Sequence, residues 1–95
     1  MTVRLSQAAQ LDLFQIALDG LDQFGPHQVA KYEAGLQVVL GTLEANPRLA
    51  AERADHDPPV RIHPYQAHVI IYRIDDTGIF VLRVCHARED WTRLV

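Results

Sequence analysis

The chain has 95 residues, 48% of them hydrophobic and 22% charged, with a formal net charge of −3. That length suits one domain, residues 1–95, rather than two, and the composition is that of a folded globular protein, not a disordered one. The acidic balance argues against a protein that grips nucleic acid through its phosphates, and no apolar run approaches the roughly 20 residues of a membrane span.

Thr2-Val3-Arg4-Leu5 alternates and predicts a short first strand. Ser6 then offers a helix N-cap, its hydroxyl placed to accept an early helical N–H. Leu11, Phe14, Leu18 and Leu21 follow at spacings of three, four and three, which puts them on one helical face and predicts a buried stripe. Leu13 and Ile16 lie off that stripe as surplus apolar residues, suited to a partner or to a wider buried face. Phe24-Gly25-Pro26 ends the first helix and starts a second, because glycine tolerates a left-handed cap and proline suits the first helical position. Val29, Tyr32, Leu36, Val39 and Leu43 form the stripe of that second helix, and Asn46-Pro47 stops it. Two amphipathic helices joined by a tight turn make an antiparallel hairpin.

From Arg48 to Asp57 the chain is polar, with a short helical turn expected around Leu49-Ala50-Ala51, and Pro58-Pro59 interrupts regular structure. Val60-Arg61-Ile62-His63 can form a strand, followed by a turn or irregular edge at Pro64-Tyr65-Gln66. Val69 to Ile74 and Ile79 to Cys85 are strong strand signals, rich in β-branched and aromatic residues, with a turn at Asp75-Asp76-Thr77-Gly78 between them. The expected architecture is therefore α+β: an N-terminal strand, then an antiparallel helical hairpin packed on one face of a mainly antiparallel sheet of three to four strands. The sheet's other face becomes the place to look for function.

Catalytic and metal signals are weak. There is no phosphate-binding glycine loop and no nucleophile elbow. His56, His63, His68 and His86 with the single Cys85 match no metal-ligand spacing, so neither a metal site nor a cofactor is expected. Cys85 and His86, adjacent on a strand, point to opposite faces and cannot act as nucleophile and base, and Cys85 reads as a small buried residue. One cysteine permits no internal disulfide, and residues 1–20 show no basic segment followed by an apolar core; both favour the cytoplasm. Arg73 and Arg83 are more informative, since a charge inside an apolar strand needs solvent or a partner. Alternation puts Arg83 on the face of Val81 and Cys85, opposite Phe80, Leu82 and Val84. Two alternatives stay open for Arg73 and Arg83: a structural pair with an acidic residue, or a basic patch on the open sheet face shared with Arg61 and Arg88.

His68-Val-Ile-Ile-Tyr72-Arg73-Ile74, the strand Ile79 to Val84, and Cys85-His86-Ala87-Arg88-Glu89-Asp90 together resemble the C-terminal signature of ParE-type toxins, H-x-I-x-Y-R-[VI], a short turn, then V-x-R-V-x-H-x-R-x-D. Arg61 and Asn46-Pro47 match that family as well, so the resemblance spans nearly the whole chain. It implies the RelE/ParE superfamily and the toxin of a type II toxin–antitoxin pair. Such a toxin would act by binding DNA gyrase rather than by catalysis, would bind no nucleic acid directly, and would form a hetero-oligomer with a ParD-like antitoxin whose flexible segment folds around it. On that basis Arg61, Arg73, Arg83, His86, Arg88 and Trp91 are candidate contacts to target or partner, and Leu13 and Ile16 are candidate contacts to the antitoxin. The RelE branch, which cuts mRNA on the ribosome, is the alternative. It needs several cations around the phosphate and a group for acid–base work. This chain has one lysine, Lys31, on a helix, and Trp91 stands where a tyrosine would be wanted, although His86 could move a proton. A further alternative is a module that only binds an antitoxin.

Overall fold

The computed structural model describes residues 2–95. Strand β1 (Thr2–Leu5) leads into helix α1 (Gln7–Phe24), which turns at Gly25 into helix α2 (Pro26–Ala45); four strands follow, β2 (Glu52–Arg53), β3 (Val60–Tyr65), β4 (His68–Asp75) and β5 (Gly78–His86), and a short 3-10 turn (Trp91–Arg93) ends the ordered elements. The five strands lie in the order β1-β5-β4-β3-β2. Every neighbouring pair is antiparallel except β1 and β5, which run parallel because the helical hairpin carries the chain back over one sheet face between them. The sheet has one strand more than expected. The helical turn expected near Leu49 is instead a bend that leads into β2, a two-residue strand at the sheet edge.

Local chemistry sets the element ends. The Ser6 hydroxyl accepts the Ala9 N–H at 2.9 Å and donates to the Leu82 carbonyl at 2.6 Å, so one side chain caps α1 and ties its start to β5. Gly25 adopts φ 88, which a residue with a Cβ rarely takes, and Pro26 follows as the first residue of α2. β3 extends through Pro64 to Tyr65, beyond its last pair with β2, where it has a neighbour on one side only and a proline is tolerated.

Two apolar layers result. On the helix side, Leu36, Leu40 and Leu43 of α2 and Ala9 of α1 pack on Ile70, Tyr72, Ile79, Val81 and Val84 of the sheet. On the other side, Val60, Ile71 and Cys85 are covered by Trp91, Leu94 and Val95 of the C-terminal segment. Tyr72 is fully buried, and its hydroxyl donates to the Pro47 carbonyl at 2.7 Å, which pins the loop after α2 to the sheet.

Helix α1 is rotated relative to the expectation from its periodicity. Leu11, Phe14, Leu18 and Leu21, expected in the core, are exposed, by 64%, 63%, 45% and 46%. The face turned inward carries Ala9, Asp12, Leu13 and Ile16, with Leu13 and Ile16 half-buried against the core. Two contacts fix this phase. Asp12 is bonded to β5, and at Gly20 a Cβ would lie 3.0 Å from the Val29 side chain, so only a very small residue lets the helices approach there. Counting large apolar residues selected the wrong face because the buried one is made partly of alanine, glycine and a paired aspartate.

Alternation along β5 also breaks. The pairing with β4 passes from Ile71↔Arg83 to Tyr72↔Val81 and skips Leu82, a bulge. Val81 and Val84 consequently both belong to the helix-side core, while Leu82 and Cys85 pack on the opposite side. The placement of Arg83 on a face shared by Val81 and Cys85, with Leu82 and Val84 opposite, does not survive this shift.

Candidate functional site

The hairpin and the sheet diverge at the end where β3 turns into β4, and an open cleft of about 850 Å³ lies between them. Leu13, Ile16, Ala17 and Gly20 of α1 form one wall, Val29, Tyr32 and Leu36 of α2 the other, and Tyr65, His68 and His86 close the sheet end. Leu13 and Ile16 thus pack on the core with one side and line the cleft with the other. An apolar floor with a few convergent polar groups is the usual make-up of a binding cleft.

The polar end of the cleft is a connected set. The Tyr65 hydroxyl donates to the Tyr32 carbonyl at 2.8 Å, and the two tyrosine rings lie 4.9 Å apart. Gly35 makes this possible, because a Cβ there would collide with the Tyr65 hydroxyl. The Tyr32 hydroxyl meets His68 Nδ1 at 3.1 Å, and the His68 ring stands edge-on to His86 at 5.8 Å, the two residues being direct partners across β4 and β5. Burial, and then Tyr65, pushes the Tyr32 hydroxyl up to about 12. Burial, and then His86, lowers His68 from its ordinary value. Both groups are therefore neutral near pH 7 and do not make an acid–base pair; the charged side chains lining the cleft are Asp19, Lys31 and Glu33, on its two helical walls. His86 is exposed, and its Nδ1 accepts the Arg88 N–H at 3.1 Å, which shapes the turn after β5.

The arginines do not share one patch. Arg61 is on the helix-side face beside Tyr72, where its Nη1 donates to the Ala50 carbonyl at 2.7 Å and its Nη2 lies 3.8 Å from Glu52. A basic patch on the open face that includes Arg61 is thereby excluded. Arg83 is held by Asp12 through two bonds, at 2.7 and 2.8 Å, so of its two alternatives the structural pair is the one formed. Asp12 raises the Arg83 guanidinium further above its ordinary value. Arg73 is exposed and free of any carboxylate partner among the described residues, with its guanidinium 5.2 Å from the Phe80 ring; Arg4, across β5, covers the same ring at 4.9 Å and pairs with Asp75. Arg88 is exposed beside His86. Trp91 is half-buried over the second apolar layer, its ring flanked by His56 at 5.8 Å and the Arg53 guanidinium at 5.2 Å. Of the candidates named from sequence, Leu13, Ile16 and His86 meet in the cleft, while Arg61, Arg73, Arg83 and Trp91 lie elsewhere.

Sequence reasoning did not single out Asp12, Tyr32, Tyr65 or His68 as site residues. The signal for Asp12 was present: an arginine inside an apolar strand demands a carboxylate, and Asp12 interrupts the first apolar helix. Among the described residues no helix is long and apolar enough to cross a membrane, and no group of three or more histidine, cysteine or acidic side chains is placed to hold a metal ion.

Comparison with known proteins adds two findings. Residues 3–91 match the family model described as ParE toxin of type II toxin-antitoxin system, parDE. The fold is similar to a solved structure described as the chromosomal ParDE TA system from P. aeruginosa, with a TM-score of 0.65 and 20% sequence identity over 90% of this chain and 95% of that one. No curated protein matches the sequence.

Proposed function

The chain belongs to the ParE toxin family of type II toxin–antitoxin systems, and we propose that it acts in the cytoplasm by binding rather than by catalysis, as an inhibitor of DNA gyrase kept inactive by a ParD-like antitoxin in a hetero-oligomer. The observation that carries this reading is the state of its polar groups. A phosphodiester-cleaving site needs free cations and an acid–base group near one point. Here Arg83 is committed to Asp12 and Arg61 to Ala50 and Glu52, the Tyr32–His68 pair is neutral, and Trp91 packs on the second apolar layer. Among the described residues this leaves Arg88 beside His86 as a single free cation where that chemistry needs several. The cleft instead suits apolar side chains of a peptide, which supports an antitoxin segment lodged against Leu13, Ile16 and Tyr32. Arg73, His86 and Arg88 are the exposed groups from the C-terminal signature, and we assign them to the target.

The test is a supercoiling and cleavage assay with purified gyrase. The expected result is loss of supercoiling with cleaved DNA trapped on the enzyme, reversed by the antitoxin. Full supercoiling in the presence of folded protein, together with ribosome-dependent cleavage of mRNA, would replace this reading with the ribonuclease one.

A further inference from the structure

His56 lies in the polar loop between β2 and β3, and both nitrogens of its ring meet carbonyl oxygens. Nδ1 is 2.9 Å from the Pro58 carbonyl, two residues on, and Nε2 is 3.1 Å from the Val95 carbonyl, 39 residues later. A carbonyl oxygen accepts and cannot donate, so each nitrogen has to bring a hydrogen. A neutral imidazole carries one, and only the imidazolium carries two. The ring that makes both bonds is therefore charged. Removing a proton leaves a nitrogen lone pair facing a carbonyl oxygen, and that contact is repulsive.

The two bonds differ in what they join. The bond to Pro58 closes the loop on itself. The bond to Val95 reaches the segment 91–95, in which Trp91, Leu94 and Val95 cover Val60, Ile71 and Cys85. The other hydrogen bonds of that segment are local: Asp90 accepts from Thr92 and Arg93, and the Leu94 N–H meets the Trp91 carbonyl. Among the described residues, the His56 bond is the only hydrogen bond from 91–95 to any residue before Asp90. A neutral ring keeps the Pro58 bond, because the shorter loop is the easier one to close, and gives up Val95.

The surroundings of the ring favour the charged form. Asp55 and Asp57 flank it on its own loop, and the Trp91 ring lies 5.8 Å away on the C-terminal side. Arg53, which shares that tryptophan, is bonded to Asp55. On the covering segment the Asp90 carboxylate is occupied by Thr92, and Arg93 is exposed. We propose that His56 is a pH-sensitive clasp: the doubly protonated ring holds residues 91–95 on the sheet, and loss of one proton releases them and uncovers Val60, Ile71 and Cys85. The clasp stands whether or not gyrase is the target.

Trp91 is the chain's only tryptophan and reports on its own release. The experiment is lifetime-resolved quenching of its fluorescence by acrylamide from pH 5 to 8.5 on the whole chain, beside an NMR titration of the His56 ring. In wild type the quenching rate constant should rise by about threefold or more as the pH climbs, as local opening becomes easier. Its midpoint should coincide with that of His56, above the ordinary 6.5. His56→Gln, uncharged throughout, should show the high value at every pH, with circular dichroism confirming its fold. Flat quenching in folded wild type would overturn the clasp, and so would a midpoint different from that of His56. The same rise in folded His56→Gln would also overturn it, since the titrating group would then lie elsewhere. If the variant does not fold, the two wild-type midpoints decide alone.

Discussion

Arg83 and Asp12 lock helix α1 to strand β5. Nε and Nη2 of the arginine donate to the two carboxylate oxygens at 2.7 and 2.8 Å, and Asp12 Oδ2 also accepts the Val84 N–H at 3.0 Å. β1 pairs with β5 only as far as Val81, so beyond that point β5 lacks a neighbouring strand on this side. Ser6 and Asp12 take its place, one bonding Leu82 and the other Val84. Asp12→Ala removes the acceptor for a backbone N–H and strands a half-buried guanidinium, at an expected cost of about 2–4 kcal/mol. Arg83→Ala should cost less, because Asp12 keeps its bond to Val84. Urea denaturation of both variants at pH 7 checks the size and the order. Any loss of growth arrest in Arg83→Ala is then expected to track the lost stability rather than a lost target contact.

Tyr72 separates the value of a buried ring from that of its hydroxyl. The side chain is fully buried, and the hydroxyl is bonded to Pro47. Tyr72→Ala should destabilise by about 3–5 kcal/mol through the cavity it leaves. Tyr72→Phe should cost only about 1 kcal/mol, plus whatever follows from leaving the Pro47 carbonyl to water. Thermal melts of the two variants measure both, and near-equal losses would show that the hydroxyl, not the ring, carries the site.

Much of this fold can be read directly from the chain. The Ser6 cap, the Gly25-Pro26 break, the stripe of α2 and the β4–β5 hairpin each announce themselves by a local rule. The features that escaped depend on neighbours remote in sequence. The phase of α1 is decided by Asp12 meeting Arg83, 71 residues later. The bulge at Leu82 shows only in the pairing with β4. β2 is two residues of ordinary polar chain, made a strand by the edge of β3. The candidate site divides in the same way. Leu13, Ile16 and His86 were picked out individually, yet the cleft that joins them is a product of helices and sheet diverging, which no spacing rule encodes.

Arg73 and Arg88 supply the functional counterpart to Arg83. Both are exposed, and Arg73 contributes at most a solvent-exposed contact to the Phe80 ring. Each alanine variant should change stability by about 0.5 kcal/mol or less. If these residues meet the target as proposed, the same variants lose growth arrest at unchanged melting temperature. Full growth arrest in the double variant would remove them from the target site.

Two histidines should bend the pH profile in opposite directions. The folded state lowers His68 below its ordinary 6.5, chiefly by burial, so the unfolded chain binds more protons there. Stability from this group is present above pH 6.5 and is lost as the pH falls toward the lowered folded value. His56 is raised, first by its bond to the Pro58 carbonyl and then by that to Val95, at 2.9 and 3.1 Å. Its contribution is present below 6.5 and is lost as the pH rises through the raised value. Melting temperatures from pH 5 to 8 should therefore fall less steeply on the acid side in His68→Gln than in wild type, and less on the neutral side in His56→Gln. Parallel curves for wild type and both variants would contradict the assignment.

The C-terminal segment can be followed through Cys85. The thiol is buried at 5% exposure beneath Trp91, Leu94 and Val95, and burial, then Glu89 and Asp12, raises it above its ordinary value. Reaction with a thiol reagent needs both access and thiolate, so wild type should react slowly at pH 7. Trp91 is the largest group in the cover and is itself braced by His56 and Arg53. Trp91→Ala should loosen the cover while leaving the helix-side core intact, and the labelling rate of Cys85 should rise by about tenfold or more as local opening becomes easier. Circular dichroism on the same sample distinguishes local release from global unfolding: the expected outcome is a native spectrum with fast labelling. Unchanged labelling would mean that Leu94 and Val95 hold the cover without the tryptophan, which would leave Trp91 free for the contact with target or partner that its place in the C-terminal signature suggested.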